Sequence, residues 1–216
     1  MFGFKLIGLD MSGTLSDDSD LVYEVRKQIT PIEMVNLSKE DWMRQTTPSY
    51  MLLDQTKKEE FISDFEQTYV KLLSERPILQ AHALPGIVSA VKTLSNVTKL
   101  FVVSSLPEQI LLQDLCRYGI MQYITCGIYS SLDKPSAITK AITHAQNQST
   151  DLISKDQIGY VGDAMGDIMS AQKVGIVPIA VCGGYNTRDQ LETMKPEGGV
   201  FNNFVDFVES YLGRYN

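Results

Sequence analysis

Three aspartates, Asp10, Asp163 and Asp167, stand at or just beyond the ends of short apolar runs. Each run is typical of a buried strand that stops at a carboxylate in a turn. Because open α/β sheets bind ligands outside the carboxyl ends of their strands, we expect the three side chains to gather at one such edge. Neighbouring carboxylates repel one another, and at least one pKa rises unless a cation joins them.

An oxygen-only set without His or Cys favours a hard divalent cation, most simply Mg²⁺. Three carboxylates, one Mg²⁺ and Lys134 sum to zero charge, so the site can accept a phosphoryl dianion. Ser104 offers a hydroxyl donor, and turns near Gly13 and Ser105 offer backbone N–H groups for phosphate oxygens. A carboxylate that is more than a ligand could attack phosphorus and form an aspartyl phosphate, and Asp10 would be the most central if the strand order reverses beside the first strand.

Each of these residues also has a simpler structural interpretation. Asp10 could only cap the next element, since Asp, Ser, Gly and Thr all favour turns. Ser104-Ser105 is typical of a loop and Lys134-Pro135 of a solvated turn. Only the order of these residues along the chain, together with their positions at predicted strand ends, favours a catalytic role over these structural ones.

The elements that must position these residues fall into two groups. From Ser16 to Ala83 we predict no strand but several helices, over 20–30, from an N-cap at Ser38, and over 57–74, where apolar residues repeat on one stripe. Afterwards the pattern alternates, with strands predicted at 99–103, 123–128, 158–161 and 177–181 and helices at 87–94, 107–118, 135–147, 166–174 and 204–212. Lys134 would reach the site from a loop, with Pro135 opening the next helix.

This alternation predicts an α/β fold, a Rossmann-like three-layer α/β/α core with a parallel sheet, plus an inserted all-α segment. We assign residues 1–15 and 84–216 to the core domain and residues 16–83 to a separate small helical lobe.

Composition and charge exclude several classes of partner. The 216 residues carry a net charge of −7 and no Lys/Arg cluster longer than Lys57-Lys58, so we expect no nucleic-acid partner. No apolar stretch approaches membrane-spanning length, so we expect no membrane partner. The three cysteines, Cys116, Cys126 and Cys182, are predicted to be buried and reduced, which with the absence of a signal peptide indicates a cytoplasmic protein. Oligomeric state is not predicted.

The ordered motifs resemble the haloacid-dehalogenase-like hydrolase superfamily, in its helical-cap, phosphoglycolate-phosphatase-like branch. The resemblance covers nearly the whole chain. The family's D-x-D-x-T motif corresponds to residues 10–14, its strand ending in Ser or Thr to Ser104, its Lys to Lys134, and its G-D-x-x-x-D motif to residues 162–167. Residues 104–107 are similar to the T-N-K-P of that branch, and 182–185 stand where its members have a strand ending in Gly-Tyr.

The resemblance implies a role for each matched residue. Asp10 would be the nucleophile and a metal ligand, and Ser12 would offer its backbone carbonyl to Mg²⁺. Asp163 would bind the metal directly, with Asp167 beside it or acting through water. Ser104 and Lys134 would hold the transferring phosphoryl group. The cap would close over a small phosphorylated metabolite, exclude water and select the substrate, with Arg44 and Tyr50 as candidate contacts.

One departure from the family pattern bears on activity. Ser12 stands where most family phosphatases have an acid/base Asp, which protonates the leaving alkoxide and later activates water. General acid–base catalysis is worth ~10²–10⁴-fold, so a slow enzyme, or one restricted to good leaving groups, is expected.

Other functions of related proteins remain as alternatives. The main one is a pseudo-phosphatase that binds a phosphorylated ligand or protein partner without efficient turnover. Phosphonoacetaldehyde hydrolases need a cap lysine that residues 48–53 do not offer, and haloacid dehalogenases lack the metal carboxylates present here. A response-regulator receiver domain is much shorter.

Overall fold

The computed structural model describes residues 3–30, 37–44, 55–149 and 152–213. Its strands are β1 Leu6–Leu9, β2 Ser16–Asp17, β3 His82–Ala83, β4 Lys99–Ser104, β5 Ile128–Ser130, β6 Ile158–Gly162, β7 Val177–Val181 and β8 Val200–Phe201. Its helices are α1 Ser19–Ile29, α2 Lys39–Met43, α3 Gln55–Glu75, α4 Ile87–Ser95, α5 Glu108–Arg117, α6 Lys134–Asn147, α7 Met165–Val174, α8 Arg188–Thr193 and α9 Phe204–Leu212.

Six strands form one parallel sheet in the order β5-β4-β1-β6-β7-β8. The chain runs outward from β1 through β4 to β5 and then returns to β6 on the other side of β1. The order therefore reverses beside β1, where α/β sheets open a ligand crevice. The predicted α/β fold with a parallel sheet is confirmed.

Alternation along β1 divides the core into two layers of packing. Leu6 belongs to a buried cluster that includes Ile138 of α6 and Ala171 of α7. The next residue, Ile7, belongs to a second cluster that includes Leu94 of α4 and Phe207 of α9. Successive strand residues point to opposite faces, so helices cover both sides of the sheet.

The helices α1, α2 and α3 lie between β2 and β3 in the sequence. The two short strands pair antiparallel, with Ser16 opposite Ala83 and Asp17 opposite His82, so the chain enters and leaves this insertion side by side. The prediction of no strand between Ser16 and Ala83 was wrong, because two-residue strands are too short to produce an alternating pattern. Tyr69 of α3 is buried in the cluster that also contains Ile7. The candidate contact Tyr50 and the segment 48–53 lie outside the described residues.

The predicted strand at 123–128 is displaced in the structure. Met121–Tyr123 is a short 3₁₀ helix, and β5 begins at Ile128, opposite Val102 of β4. Tyr123 and Ile124 instead pack, partly buried, against the core from outside the sheet. The apolar run therefore reflects packing and not strand pairing.

The helix α8 was not predicted, although its start carries a sequence signal. Thr187 accepts a hydrogen bond from the backbone N–H of Gln190 at 3.3 Å, and the Gln190 side chain accepts from the Thr187 N–H at 3.0 Å. This reciprocal pair is a capping box of the T-x-x-Q type.

The cysteines differ from the prediction in one respect. All three are free, but only Cys126 is buried, whereas Cys182 is half-buried and Cys116 is exposed. Among the helices of the described residues, none combines the length and the apolarity needed to cross a membrane.

The core packing gives a first prediction. Leu94 of α4 is fully buried, so Leu94→Ala should lower the free energy of unfolding by about 2–5 kcal/mol through lost burial and a cavity. Val88 on the same helix is 43% exposed, so Val88→Ala should change it by less than about 0.5 kcal/mol. Urea unfolding followed by circular dichroism measures both, and equal losses would contradict the assigned packing of α4.

Candidate active site

The structure brings the three predicted aspartates together at the carboxyl edge of the sheet. Asp10 follows β1, and its backbone N–H donates to the carbonyl of Val161 in β6 at 2.9 Å. Asp163 follows β6, and Asp167 lies in the first turn of α7. All three are buried, and each offers one carboxylate oxygen within 4.8 Å of the others.

Burial and mutual repulsion govern the charge of this cluster. Burial, followed by the charge of Asp167, raises the pKa of Asp10 to about 7, although Lys134 opposes the rise. Burial and then the charges of Asp10 and Asp167 raise the pKa of Asp163 well above its usual value. A cation bound among these oxygens would relieve both effects.

Lys134 supplies the positive charge that lies within the cluster. Its Nζ is 2.8 Å from Oδ1 of Asp10 and 2.5 Å from Oδ1 of Asp167. Burial favours the neutral amine, but the two carboxylates outweigh it and raise the pKa of Lys134. The prediction that Lys134 lies in a loop was wrong: it is the first residue of α6, which Asp133 caps by accepting from the Ser136 N–H at 3.3 Å.

Asp163 is lodged between two glycines. A Cβ atom at Gly13 would lie 2.2 Å from Oδ2 of Asp163, and one at Gly184 would lie 2.0 Å from it. Gly13 also has φ +75°, which a residue with a side chain adopts only with strain. The hydroxyl of Thr14 donates to Oδ1 at 3.1 Å, and the backbone N–H of Tyr185 donates to Oδ2 at 2.6 Å. Both oxygens of Asp163 are therefore held in place.

Asp167 is held from two sides. The backbone N–H of Ala164 donates to its Oδ2 at 3.1 Å, while Oδ1 accepts from Lys134. Asn186 supports the same turn, because its Oδ1 accepts from the N–H of Met165 at 2.8 Å. The sequence offered no signal for Asn186. Gly184 belongs to the segment 182–185, which resembles a family segment, but its contact with Asp163 was not predicted.

Ser104 and Ser105 lie where the sequence predicted them. Ser104 is the last residue of β4, and both serines line a cavity together with Asp10 and Lys134. The Ser104 hydroxyl accepts from the N–H of Leu106 at 3.2 Å, which orders the turn after the strand.

Ser12 makes a contact that the sequence did not predict. Its hydroxyl donates to Oδ2 of Asp18 at 2.6 Å. Asp18 is buried, and burial raises its pKa to about 7 despite this hydrogen bond. The Asp18 carboxylate is therefore hydrogen-bonded to Ser12, the residue that stands where most family phosphatases have an acid/base Asp.

A cavity of about 170 Å³ lies over the acidic cluster. Its lining comes from the sheet edge and from the helices of the insertion, including Trp42 of α2 and Phe65 of α3. Trp42 packs edge-on against Tyr185, with 5.6 Å between the ring centroids. The candidate contact Arg44 does not line this cavity; it is exposed and pairs with Glu40.

The donor set fits a hard divalent cation. The cluster offers buried carboxylate oxygens and contains no nitrogen or sulfur ligand among the described residues. With Lys134 as its one ammonium it carries a net charge of about −2 when ionised, so a divalent cation such as Mg²⁺ would balance it.

The comparisons with known proteins agree with this geometry. A family model described as haloacid dehalogenase-like hydrolase matches residues 7–181. A search of curated protein sequences found no significant match.

Solved structures with the same fold cover the whole chain or nearly all of it. A haloacid dehalogenase-like hydrolase family protein from Streptococcus pneumoniae superposes with a TM-score of 0.73 at 19% identity, covering 100% of both chains. A predicted phosphoglycolate phosphatase from Haemophilus somnus gives 0.71 at 19% identity, covering 98% of this chain and 99% of its own. A predicted phosphatase from Clostridium acetobutylicum gives 0.73 at 19% identity, covering 97% and 99%.

The close approach of Gly184 to Asp163 gives a second prediction. Gly184→Ala should displace the Asp163 carboxylate and lower Mg²⁺ affinity by about 10–100-fold, as measured by isothermal titration calorimetry. A Cβ at the neighbouring Gly183 would meet nothing within 4 Å, but its φ of +105° makes substitution strained. Gly183→Ala should therefore lower stability while leaving Mg²⁺ affinity within about threefold of the wild-type value. Wild-type affinity in Gly184→Ala would contradict this account.

Proposed function

Because the chain belongs to the haloacid dehalogenase-like hydrolase family, we propose that it is a Mg²⁺-dependent phosphohydrolase acting on a small phosphorylated metabolite. The observation that carries the proposal is the buried cluster of Asp10, Asp163, Asp167 and Lys134 at the floor of a cavity. Two structural neighbours that are themselves described as predicted phosphatases support it.

In this proposal the side chains of Asp10, Asp163 and Asp167 and the backbone carbonyl of Ser12 would hold Mg²⁺. When bound, the ion would offset the carboxylate charge that otherwise repels a phosphate dianion. Lys134 and the hydroxyl of Ser104 would bind the oxygens of the transferring phosphoryl group, with backbone N–H groups at Gly13 and Ser105.

Asp10 is the proposed nucleophile. Its Oδ1 accepts a hydrogen bond from Lys134 at 2.8 Å, which would orient the attacking carboxylate. Asp10 stands at the end of the strand beside which the sheet order reverses. Its oxygen would attack phosphorus as the leaving group departs, and water would then hydrolyse the aspartyl phosphate and regenerate the carboxylate.

We further propose that residues 16–83 act as the cap of a core formed by 1–15 and 84–216. The cavity wall combines side chains from both parts, so this arrangement would shield the reacting phosphate from water. The net charge of −7 disfavours nucleic acid, and we expect the protein to act in the cytoplasm, not on a membrane.

Ser12 bears on the rate. A serine hydroxyl is too weak an acid at neutral pH to protonate an alkoxide leaving group, and here it donates a hydrogen bond to Asp18. The proposed enzyme is therefore slow or restricted to good leaving groups. The same contact favours the second candidate, a pseudo-phosphatase that binds a phosphorylated ligand or partner without efficient turnover.

Replacement of the nucleophile tests the main proposal. With Mg²⁺ present, the wild-type protein should release phosphate from acetyl phosphate, and Asp10→Asn should lower the rate by at least about 10³-fold because the amide cannot attack phosphorus. Asp156→Asn, at an exposed position at the opposite end of β6, is the matched control and should keep the wild-type rate. Absence of wild-type turnover, with Mg²⁺ and ligand still bound, would favour the pseudo-phosphatase.

Restoring the acid/base group tests the role of Ser12. Ser12→Asp alone would place a carboxylate against Asp18, and their repulsion would hold one of them protonated. The double variant Ser12→Asp/Asp18→Asn removes this conflict. It should raise kcat on alkyl phosphate monoesters by about 10²–10⁴-fold, with Asp18→Asn alone as the control. Unchanged or lower rates in the double variant would mean that Ser12 serves a different chemistry.

A further inference from the structure

The cavity over the acidic cluster has a charged floor and an apolar wall. Its floor holds Asp10 and Lys134, whereas much of its wall is formed by Trp42, Phe61, Ile62, Phe65, Leu106 and Leu132. A substrate whose phosphoryl group binds at the floor must place its leaving group against this wall. Sugar-like leaving groups would lose water hydrogen bonds there, which costs binding free energy unless the wall supplies replacements.

The buried polar side chains of the wall, Arg26 and Asn186, expose little surface to a ligand. The guanidinium of Arg26, which is 5% exposed, lies over the ring of Phe61 at 4.9 Å from its centroid. The amide of Asn186 accepts from Met165 and donates to Gln190 at 3.2 Å. The wall therefore presents mainly ring and aliphatic surface to a ligand.

The size of the cavity limits the apolar group that fits. An engineered apolar cavity of about 150 Å³ binds benzene, and the cavity here measures about 170 Å³. Because the same cavity must also hold the phosphoryl group at its floor, the described residues leave room for a leaving group of at most one aromatic ring.

Ser12 is an independent observation that points to the same class of substrate. Without an acid at position 12, the leaving oxygen must depart as an anion. Phenols ionise with a pKa of about 10, far below the value of about 15.7 for water, which alkanols resemble. A phenolate is thus an apolar leaving group that needs no protonation to depart.

We propose that the substrates of this site are small aryl phosphates, whose single ring occupies the apolar cavity. This inference rests on the proposed phosphohydrolase function and names its substrate class. An oxygen of Asp10 forms a bond to phosphorus while the bond between phosphorus and the phenolic oxygen breaks, and the phenolate takes the electron pair and then a proton from solvent. Water next attacks the aspartyl phosphate, releasing phosphate and restoring Asp10, so that one aryl phosphate and one water give one phenol and one phosphate.

Three substrates test the proposal and separate its failure from that of the function. Acetyl phosphate reports the phosphohydrolase itself, since its leaving group is good and small. Phenyl phosphate and hexafluoroisopropyl phosphate have leaving groups of similar acidity, but only the first has a ring. With Mg²⁺ present, we expect kcat/KM for phenyl phosphate to exceed that for hexafluoroisopropyl phosphate by about tenfold or more, the effect of favourable ring packing.

The outcomes are distinguishable. Turnover of acetyl phosphate without a preference for phenyl over hexafluoroisopropyl phosphate would overturn the aryl assignment and leave the phosphohydrolase intact. No turnover of any of the three would overturn both. 1-Naphthyl phosphate should be a poorer substrate than phenyl phosphate, because its second ring exceeds the cavity; equal or better turnover would contradict the assigned site.

Variants of α3 test whether the ring of the substrate binds in the cavity. Phe65→Ala should lower the ratio of kcat/KM for phenyl phosphate to that for acetyl phosphate by about tenfold, and Phe65→Leu, which keeps the core filled, should lower it by about threefold. Val70 on the same helix is 54% exposed and does not line the cavity, so Val70→Ala should leave the ratio unchanged. An unchanged ratio in both Phe65 variants would overturn the proposal.

Discussion

The repulsion among three buried carboxylates is the constraint on which the rest of the site depends. Asp10, Asp163 and Asp167 place oxygens within 4.8 Å of one another, and Lys134 offsets only one of their charges. Such an arrangement costs folding free energy unless it is neutralised. The carboxylates therefore have to be held in position by the backbone and by hydrogen bonds, and a bound cation would complete their charge balance.

The parallel sheet positions two of the carboxylates through the pairing of its strands alone. β1 and β6 are neighbours, so Asp10 and Asp163 follow two adjacent strand ends, and the turn into α7 brings Asp167 beside them. The position of the Asp163 carboxylate also depends on Gly13 and Gly184, because the absence of a side chain at each leaves room for it. Backbone N–H groups then fix its direction. Strand ends, the starts of two helices and the turns beside them thus define the cluster.

Much of this could be predicted because strand ends and helix periodicity are local signals. The parallel fold and the convergence of the aspartates followed from apolar runs that end in polar residues. What escaped prediction depends on contacts distant in sequence or on very short elements. The pairing of β2 with β3 joins residues more than sixty positions apart, and Gly184 approaches Asp163 only through the return of β7 to β6. The Ser12–Asp18 contact was missed for another reason: a turn leaves no periodicity from which a side-chain direction can be inferred.

The buried acidic cluster also helps to distinguish the two candidate functions, the phosphohydrolase and the pseudo-phosphatase. A module that only bound a phosphate group would be served by backbone N–H groups and cations, since a carboxylate near a phosphate dianion lowers its affinity. Keeping three ionisable carboxylates out of water costs stability, and Asp10 and Asp163 reflect that cost in their raised pKa values. A site that binds a cation and uses a carboxylate in the reaction, as proposed here, would gain from this arrangement. In the proposed reaction Ser12 would remove one step, proton transfer to the leaving group, and leave the attack on phosphorus in place. This favours a restricted choice of leaving group over a loss of catalysis.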